Sequence, residues 1–301
     1  MSNWLKNRVA IITGSGRGIG RALAIAMARE GAQVVTNDLD CGFAEAVAKE
    51  ITDEGGKAIP FLGDISDFEM ARKLVHTAVD NFGRLDMLVN NAGPSGARKR
   101  IWDMTEGDWD IVIASHLKGS FNCIRHACVI MKEQQWGRII NTSSPARLGT
   151  QGNCEYSTAK AGILGLTRGV ALDLGSYGIT CNAYVPTAVT RINTRGSEEY
   201  KARMKKEYET GTITKQYYEK QTMPRPLPEA IPPFVVYLCT DEAANINGQL
   251  FFIWGQQEIH IFKEEIKRSI VKDGLWSVEE LVHMVPNVLL HGLESKIVLQ
   301  R

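Results

Sequence analysis

Apolar runs of strand length alternate with stretches of helical periodicity through the first two-thirds of the 301-residue chain. This is the pattern of βα units. A parallel strand pair needs a crossover of a dozen or more residues, so the alternation commits the chain to a largely parallel sheet. The spacing predicts strands over 9–13, 33–37, 58–62, 87–90, 138–141, 180–184 and 249–253, and helices over 19–29, 43–54, 68–82, 106–132, 156–174 and 228–239. With right-handed crossovers these make an α/β, Rossmann-type doubly wound parallel seven-stranded sheet with helices on both faces.

Composition narrows the class further. With 44% apolar and 23% charged residues and a net charge of +1, the chain is too apolar for disorder. It is too evenly charged for an obvious nucleic-acid binder, and no docking motif for nucleic acid is present. No uninterrupted apolar run reaches the roughly 18 residues of a membrane span, and the N-terminus has no signal-peptide core, so a cytoplasmic location is expected. The six cysteines form no CxxC pair and the six histidines are scattered. Buried free thiols and no metal site are therefore expected. A nucleotide-binding α/β domain needs only about 250 residues, which leaves roughly fifty to place.

Two segments break the alternation. Residues 187–228 hold nine Lys/Arg against five Asp/Glu, a net +4. Tyr200, Met204 and Tyr208 recur there at i, i+4 and i+8 behind a possible Ser197 N-cap, which predicts one or two short helices. Residues 256–301 then extend past the last strand. Here Ser277 and Glu280 form a capping box opening a helix with Leu281, Val285 and Leu289 on its apolar stripe, kinked or ended by Pro286.

Directly after the first strand stands Thr13-Gly14-Ser15-Gly16-Arg17-Gly18-Ile19-Gly20. A phosphate approaches a backbone closely only where side chains are missing, and a helix N-terminus offers free N–H groups and a positive dipole end. Asp38, 18 residues after Gly20 at the end of the second strand, stands where an acid binds an adenosine ribose. A carboxylate there repels a 2′-phosphate, so NAD is the expected cofactor. Arg17 is the counter-signal, because a guanidinium in the turn can reach such a phosphate.

Tyr156 and Lys160 lie at i, i+4, on one face of a helix. A tyrosine with its ordinary pKa near 10 is a poor base at neutral pH, and a nearby ammonium lowers that pKa. YxxxK alone is common by chance. Here it accompanies the glycine turn, Asn90-Asn91-Ala92-Gly93 after the fourth strand, and Asn141-Thr142-Ser143-Ser144 after the fifth.

Together with Gly63-Asp64-Ile65-Ser66 and the TDEAANINGQ string before the last strand, these motifs make the chain resemble the short-chain dehydrogenase/reductase family over about residues 5–255. The resemblance implies hydride transfer between a nicotinamide and an alcohol/ketone pair. Tyr156 would be the acid/base, Lys160 would lower its pKa and bind the nicotinamide ribose, and Ser144 would polarise the substrate oxygen. The implied cofactor contacts are Gly14, Ser15, Arg17, Gly18, Ile19, Gly20, Asp38, Asp64, Ile65, Asn91, Ala92, Gly93, Tyr156, Lys160, Pro186, Val189 and Thr190.

Three positions depart from the family pattern. Ser144 precedes Tyr156 by 12 positions where 13 is usual, so either the loop is one residue shorter or Ser143 takes the role; Ser144 is preferred. Pro186-Thr187 replaces the usual Pro-Gly. His116 stands where an Asn usually supports a water-linked proton relay, and it either holds that water or is a packed helix histidine. The His116-Leu117-x-Gly119-Ser120-Phe121 string, with Val35-x-Asn37-Asp38-Leu39 and Trp109-Asp110, resembles the hydroxyacyl-CoA dehydrogenase part of peroxisomal multifunctional enzymes and bacterial relatives.

The resemblance implies that the segment 187–228 is the substrate lid. Its basic excess suits a CoA thioester, with Arg98-Lys99-Arg100 adding to the rim; solvated helix faces are the competing reading. The expected activity is oxidation of a secondary alcohol, most plausibly a β-hydroxyacyl-CoA, by a homodimer or homotetramer. The alternatives are a free secondary alcohol, cyclic alcohol or steroid as substrate, or a non-catalytic NAD-binding subunit. The tail over 256–301 is expected to pack on a neighbouring subunit or over the pocket.

Overall fold

Val9–Thr13 forms β1 and is buried at every residue, as an apolar run at the centre of a parallel sheet must be. The computed structural model describes residues 3–189, 198–222, 226–254, 258–265 and 267–292. The further strands are Gln33–Asp38 (β2), Lys57–Leu62 (β3), Met87–Asn90 (β4), Gly137–Thr142 (β5), Ile179–Thr187 (β6), Leu250–Trp254 (β7) and Glu258–Phe262 (β8). They form one sheet in the order β3-β2-β1-β4-β5-β6-β7-β8. β1 to β7 are parallel, and β8 pairs antiparallel with β7.

The sheet thus has one strand more than the seven expected, and the boundary at residue 255 falls inside it: the compact unit closes at Phe262. Glu258-Ile259-His260-Ile261 alternates polar and apolar side chains, the period of a strand with unlike faces, before Phe262 closes it. The antiparallel reversal needs only a short connection, so no helical crossover announced this strand.

Side chains alternate between two cores, one on each face of the sheet. On β1, Ala10 and Ile12 join the layer beneath the helices Gly18–Arg29 (α1) and Cys41–Asp53 (α2), while Val9 and Ile11 join the layer beneath Phe68–Phe82 (α3). The helix expected over 106–132 is three pieces: Glu106–Ile113 (α4), a π turn at Ala114–Lys118, and Gly119–Gln134 (α5). Cys154–Leu174 (α6) follows β5. In the lid, Glu198–Glu209 (α7) and Lys215–Thr222 (α8) are the two short helices expected, with Met204 buried and Tyr208 stacked on Tyr218. Ser197 and the Tyr200 side chain lie outside what is described. Pro232–Leu238 (α9) is shorter than expected, since a 3₁₀ turn at Pro228–Ala230 precedes it. Pro228, Pro232 and Pro233 bring no amide donors.

A second unit spans Lys263–Arg301. In it Ser277 and Glu280 make the expected capping box at the start of Val278–Met284 (α10), and Pro286 sits in the π turn Val285–Leu289 that ends this helix. All six cysteines are free thiols, Cys123, Cys181 and Cys239 buried and the others half-buried. Among the described residues no helix is long and apolar enough to cross a membrane.

Candidate active site

The turn between β1 and α1 can be built only from glycine at two points. Gly14 has φ +61°, and a Cβ there would stand 2.8 Å from the Ala92 Cα; a Cβ at Gly20 would stand 2.2 Å from the Gly14 carbonyl oxygen. Both neighbours are backbone, so no rotamer relieves the clash. The Thr13 hydroxyl accepts from the Asn91 and Ala92 amides at 3.0 and 3.1 Å, and Asn91 Nδ2 donates to the carbonyls of Thr13 and Gly14. The glycine turn and the NNAG string are therefore one structure. Arg17, the N-cap of α1, makes no side-chain cap, which leaves the first-turn N–H groups to a ligand.

Asp38 ends β2 against this turn. Its Oδ2 accepts from the Gly16 amide at 3.1 Å and its Oδ1 from the Asp40 amide at 3.3 Å. Arg17 lies with its guanidinium 3.8 Å over the Phe43 ring. Ser15 is buried, and its hydroxyl accepts from the Asn37 amide at 2.9 Å, so it fastens the turn to β2 and does not line the cleft. Asp64 is exposed at the cleft, where its Oδ1 accepts from the Ser66 amide, and Ile65 is buried beneath it. Missing side chains at the turn, unused helix N–H groups and a carboxylate at the end of β2 together fit a dinucleotide.

Ser143 and Ser144 follow β5 and part ways. Ser143 is buried and donates to the Lys160 carbonyl at 2.8 Å. Ser144 hydrogen-bonds Tyr156 and caps the 3₁₀ turn Pro145–Leu148. The loop brings Ser144, not Ser143, to the tyrosine. Lys160 Nζ lies 5.6 Å from the centre of the Tyr156 ring and donates to the Thr142 carbonyl at 2.7 Å. Burial pushes the lysine down to about 7. Burial also raises Tyr156, and the hydrogen bond from Ser144 lowers it in part. In place of the lowering expected from an adjacent ammonium, desolvation drives both groups toward neutrality.

His116 sits in the π turn between α4 and α5, buried, with its ring edge-on to Tyr156 at 5.1 Å between centres. Its Nε2 lies 2.8 Å from the Pro94 carbonyl, which can only accept, so Nε2 carries the proton. Nδ1 is then a lone-pair acceptor, buried and without a partner among the described residues. Desolvation, followed by the charge of Lys160, holds the imidazole well below its ordinary pKa. A Cβ at Gly93 would meet the imidazole at 1.9 Å, so that glycine makes room for the ring.

These groups open onto one cleft of about 2050 Å³, lined by Gly14, Gly18, Ile19, Gly20, Asn91 and Ala92 at one end and by Ser144, Tyr156 and Lys160 with Pro186 and Thr187 at the other. Val189 is not among the lining residues; its amide donates to the Pro226 carbonyl at 2.9 Å. Thr190 lies outside the described residues. Sequence reasoning missed the far wall, made by Phe252 and Trp254 of β7 and Glu258 and His260 of β8. The alternation over 258–262 was the available signal. The lid also differs from expectation: it presents Met204, Glu207 and Glu219 to the cleft. Lys205 pairs with Glu209 and Lys215 with Glu219, each at 3.8 Å. The Lys201 and Arg203 side chains lie outside what is described.

Residues 8–202 match the family model for short chain dehydrogenases. The chain belongs to that family. It is 34% identical, over 85% of its length and 98% of the relative's, to a hydroxy(phenyl)methylsuccinyl-CoA dehydrogenase subunit from Thauera aromatica. It is 36% identical, over 92% of its length and 87% of the relative's, to the hydroxyacyl-CoA dehydrogenase ChsB1 of Mycobacterium tuberculosis. Against mouse peroxisomal multifunctional enzyme type 2 it is 37% identical over 81% of its own length, and spans 31% of that longer protein. The crystal structure of a short chain dehydrogenase from Mycobacterium avium superposes with a TM-score of 0.79 at 36% identity, covering 95% of each chain. Members of this family are oxidoreductases that act on a CH–OH group with a nicotinamide cofactor, and a small-molecule substrate is consistent with that assignment.

Proposed function

We propose that the protein is an NAD-dependent dehydrogenase interconverting a β-hydroxyacyl-CoA, or a related bulky hydroxy thioester, with its ketone. The observation that carries this reading is the convergence of Ser144, Tyr156 and Lys160 on a cleft that begins at the glycine turn. The substrate class is supported by relatives named as dehydrogenases of CoA esters. NAD is favoured over NADP because the Asp38 carboxylate stands where a 2′-phosphate would lie, while Arg17 is stacked on Phe43.

Bound in this cradle, the nicotinamide supplies the hydride acceptor. Ser144 would hold the substrate oxygen and Tyr156 would take the hydroxyl proton, with Lys160, its ammonium 5.6 Å from the ring centre, as the side chain beside it that would help move that proton on. The His116 Nδ1 lone pair would orient a water for that transfer. Protein made in the cytoplasm would act as a homodimer or homotetramer, for which the exposed apolar residues Trp109, Phe121, Val129 and Leu172 of α4, α5 and α6 offer a face.

The test is NADH formation with a β-hydroxyacyl-CoA, its free acid and a cyclic secondary alcohol. The thioester should give the highest kcat/KM. A preference for the cyclic alcohol would replace the substrate assignment, and absence of turnover on all three despite NAD binding would sink the catalytic reading.

A further inference from the structure

Charge is divided across the substrate half of the cleft. The strand order sets β4 and β6 on either side of β5, so the segment after β4 and the lid after β6 flank Ser144. The lid and β8 bring the carboxylates of Glu207, Glu219 and Glu258 to the cleft, while the segment after β4 brings the guanidinium groups of Arg98 and Arg100. Glu219 is paired with Lys215 and Glu258 lies 3.1 Å from His260, so the carboxylate side is partly compensated.

The cationic segment is tethered along its length. Pro94 accepts from His116, and the Ala97 amide donates to Glu155 Oε1 at 2.7 Å, one residue before Tyr156. Lys99 is committed to Asp108 at 2.7 Å. Arg100 donates to the Gln151 amide carbonyl, a neutral partner that leaves its charge uncompensated. Arg98 adopts φ +57°, a left-handed conformation that few residues other than glycine take. None of the hydride or proton chemistry uses these two arginines. Two planar, always-charged forks at the cleft match phosphate oxygens bidentately.

We propose that Arg98 and Arg100 form the anion site of the substrate cleft and take the phosphate groups of the CoA arm. The position of the two arginines then sets the direction of the ester, with its acyl chain toward Met204, Phe252 and Trp254. This inference rests on the reading of the substrate as a CoA thioester, and it moves phosphate recognition from the lid lysines to the segment after β4.

Titration calorimetry tests it on the full chain with the nucleotide site saturated by NADH, using CoA, dephospho-CoA and pantetheine. The wild type should bind CoA roughly tenfold or more tightly than pantetheine, the scale of a lost charge-assisted hydrogen bond, and the advantage should shrink as salt is raised. Dephospho-CoA separates the 3′-phosphate from the pyrophosphate. Arg98→Asn with Arg100→Gln should erase the advantage, asparagine being tolerant of the left-handed backbone. Arg98→Lys with Arg100→Lys should keep part of it, and Lys205→Gln with Lys206→Gln all of it. A wild type that does not distinguish CoA from pantetheine, or an advantage that survives the double neutralisation, overturns the proposal. Should the double variant fold poorly, the salt dependence of the wild type and the lysine pair still decide. Titration needs no turnover: an enzyme that binds CoA through these arginines but oxidises no hydroxyacyl-CoA keeps the anion site and loses the activity assignment, and the reverse result does the opposite.

Discussion

The imidazole of His116 meets the Tyr156 ring edge-on, at 5.1 Å between centres and 85° between planes, while its Nε2 proton is held by the Pro94 carbonyl. One buried side chain thereby touches the Tyr156 phenol and pins the loop after β4. Burial keeps the ring neutral, so the folded protein declines a proton that the unfolded chain accepts below about pH 6.5.

Stability should therefore fall as the pH drops through that value, because the unfolded state binds more protons there. His116→Gln should flatten the loss. Urea midpoints at pH 7.5 and 5.5 give the comparison, and parallel shifts in variant and wild type would exclude this group as the source. Proton-coupled nitrogen spectra should also show an Nε2-protonated ring that does not titrate between pH 6 and 8.

Ser144 is the group that lowers the Tyr156 pKa against desolvation. Removing its hydroxyl in Ser144→Ala should raise that pKa further. The rising limb of the pH–rate profile for alcohol oxidation then moves to higher pH, and kcat at neutral pH falls by about 10²-fold. Ser143→Ala should instead cost stability, since that hydroxyl bonds the Lys160 carbonyl. The opposite assignment of the two effects would give Ser143 the catalytic role.

The nucleotide half of the site was legible because its chemistry is local: a strand, a turn of glycines and a helix are contiguous in the chain, and Asp38 follows at a fixed distance. Tyr156 and Lys160 were legible for the same reason, being one helical turn apart. For Ser15, only the fold shows that its hydroxyl accepts from the Asn37 amide of β2. β8 and the role of Glu155 depend on contacts between distant segments, Leu250 with Phe262 and Ala97 with Glu155, which no periodicity records. The lid's net charge follows from composition, but composition does not show that Lys205 and Lys215 are held by Glu209 and Glu219 within its helices.

Lys160 is fully buried with its pKa brought down to about 7. Between pH 7 and about 10.5 the unfolded chain binds a proton that the folded chain does not, so this group makes stability rise with pH across that window. The total is on the order of a few kcal/mol. Lys160→Met, close in length and uncharged, should lose that rise while also losing turnover. Denaturant midpoints at pH 7 and 9.5 read the difference, and an equal gain in both proteins would exclude Lys160.

Asp38 and Gly16 should fail together. The carboxylate accepts from the Gly16 amide, and a Cβ at residue 16 would stand 2.7 Å from its Oδ2 and 2.5 Å from the Phe43 Cβ. Asp38→Asn removes the charge that repels a 2′-phosphate and weakens the ribose hydrogen bonds, so KM for NAD should rise about tenfold or more while that for NADP falls. Gly16→Ala pushes the same carboxylate out of place and disturbs the ring on which Arg17 rests, so it should raise KM for NAD with kcat less affected. The double variant should be little worse than the poorer single one, because both changes act on one contact. Initial rates at varied NAD and NADP for the four proteins close the cycle, and fully additive losses would mean that Gly16 acts on the phosphates and not through Asp38.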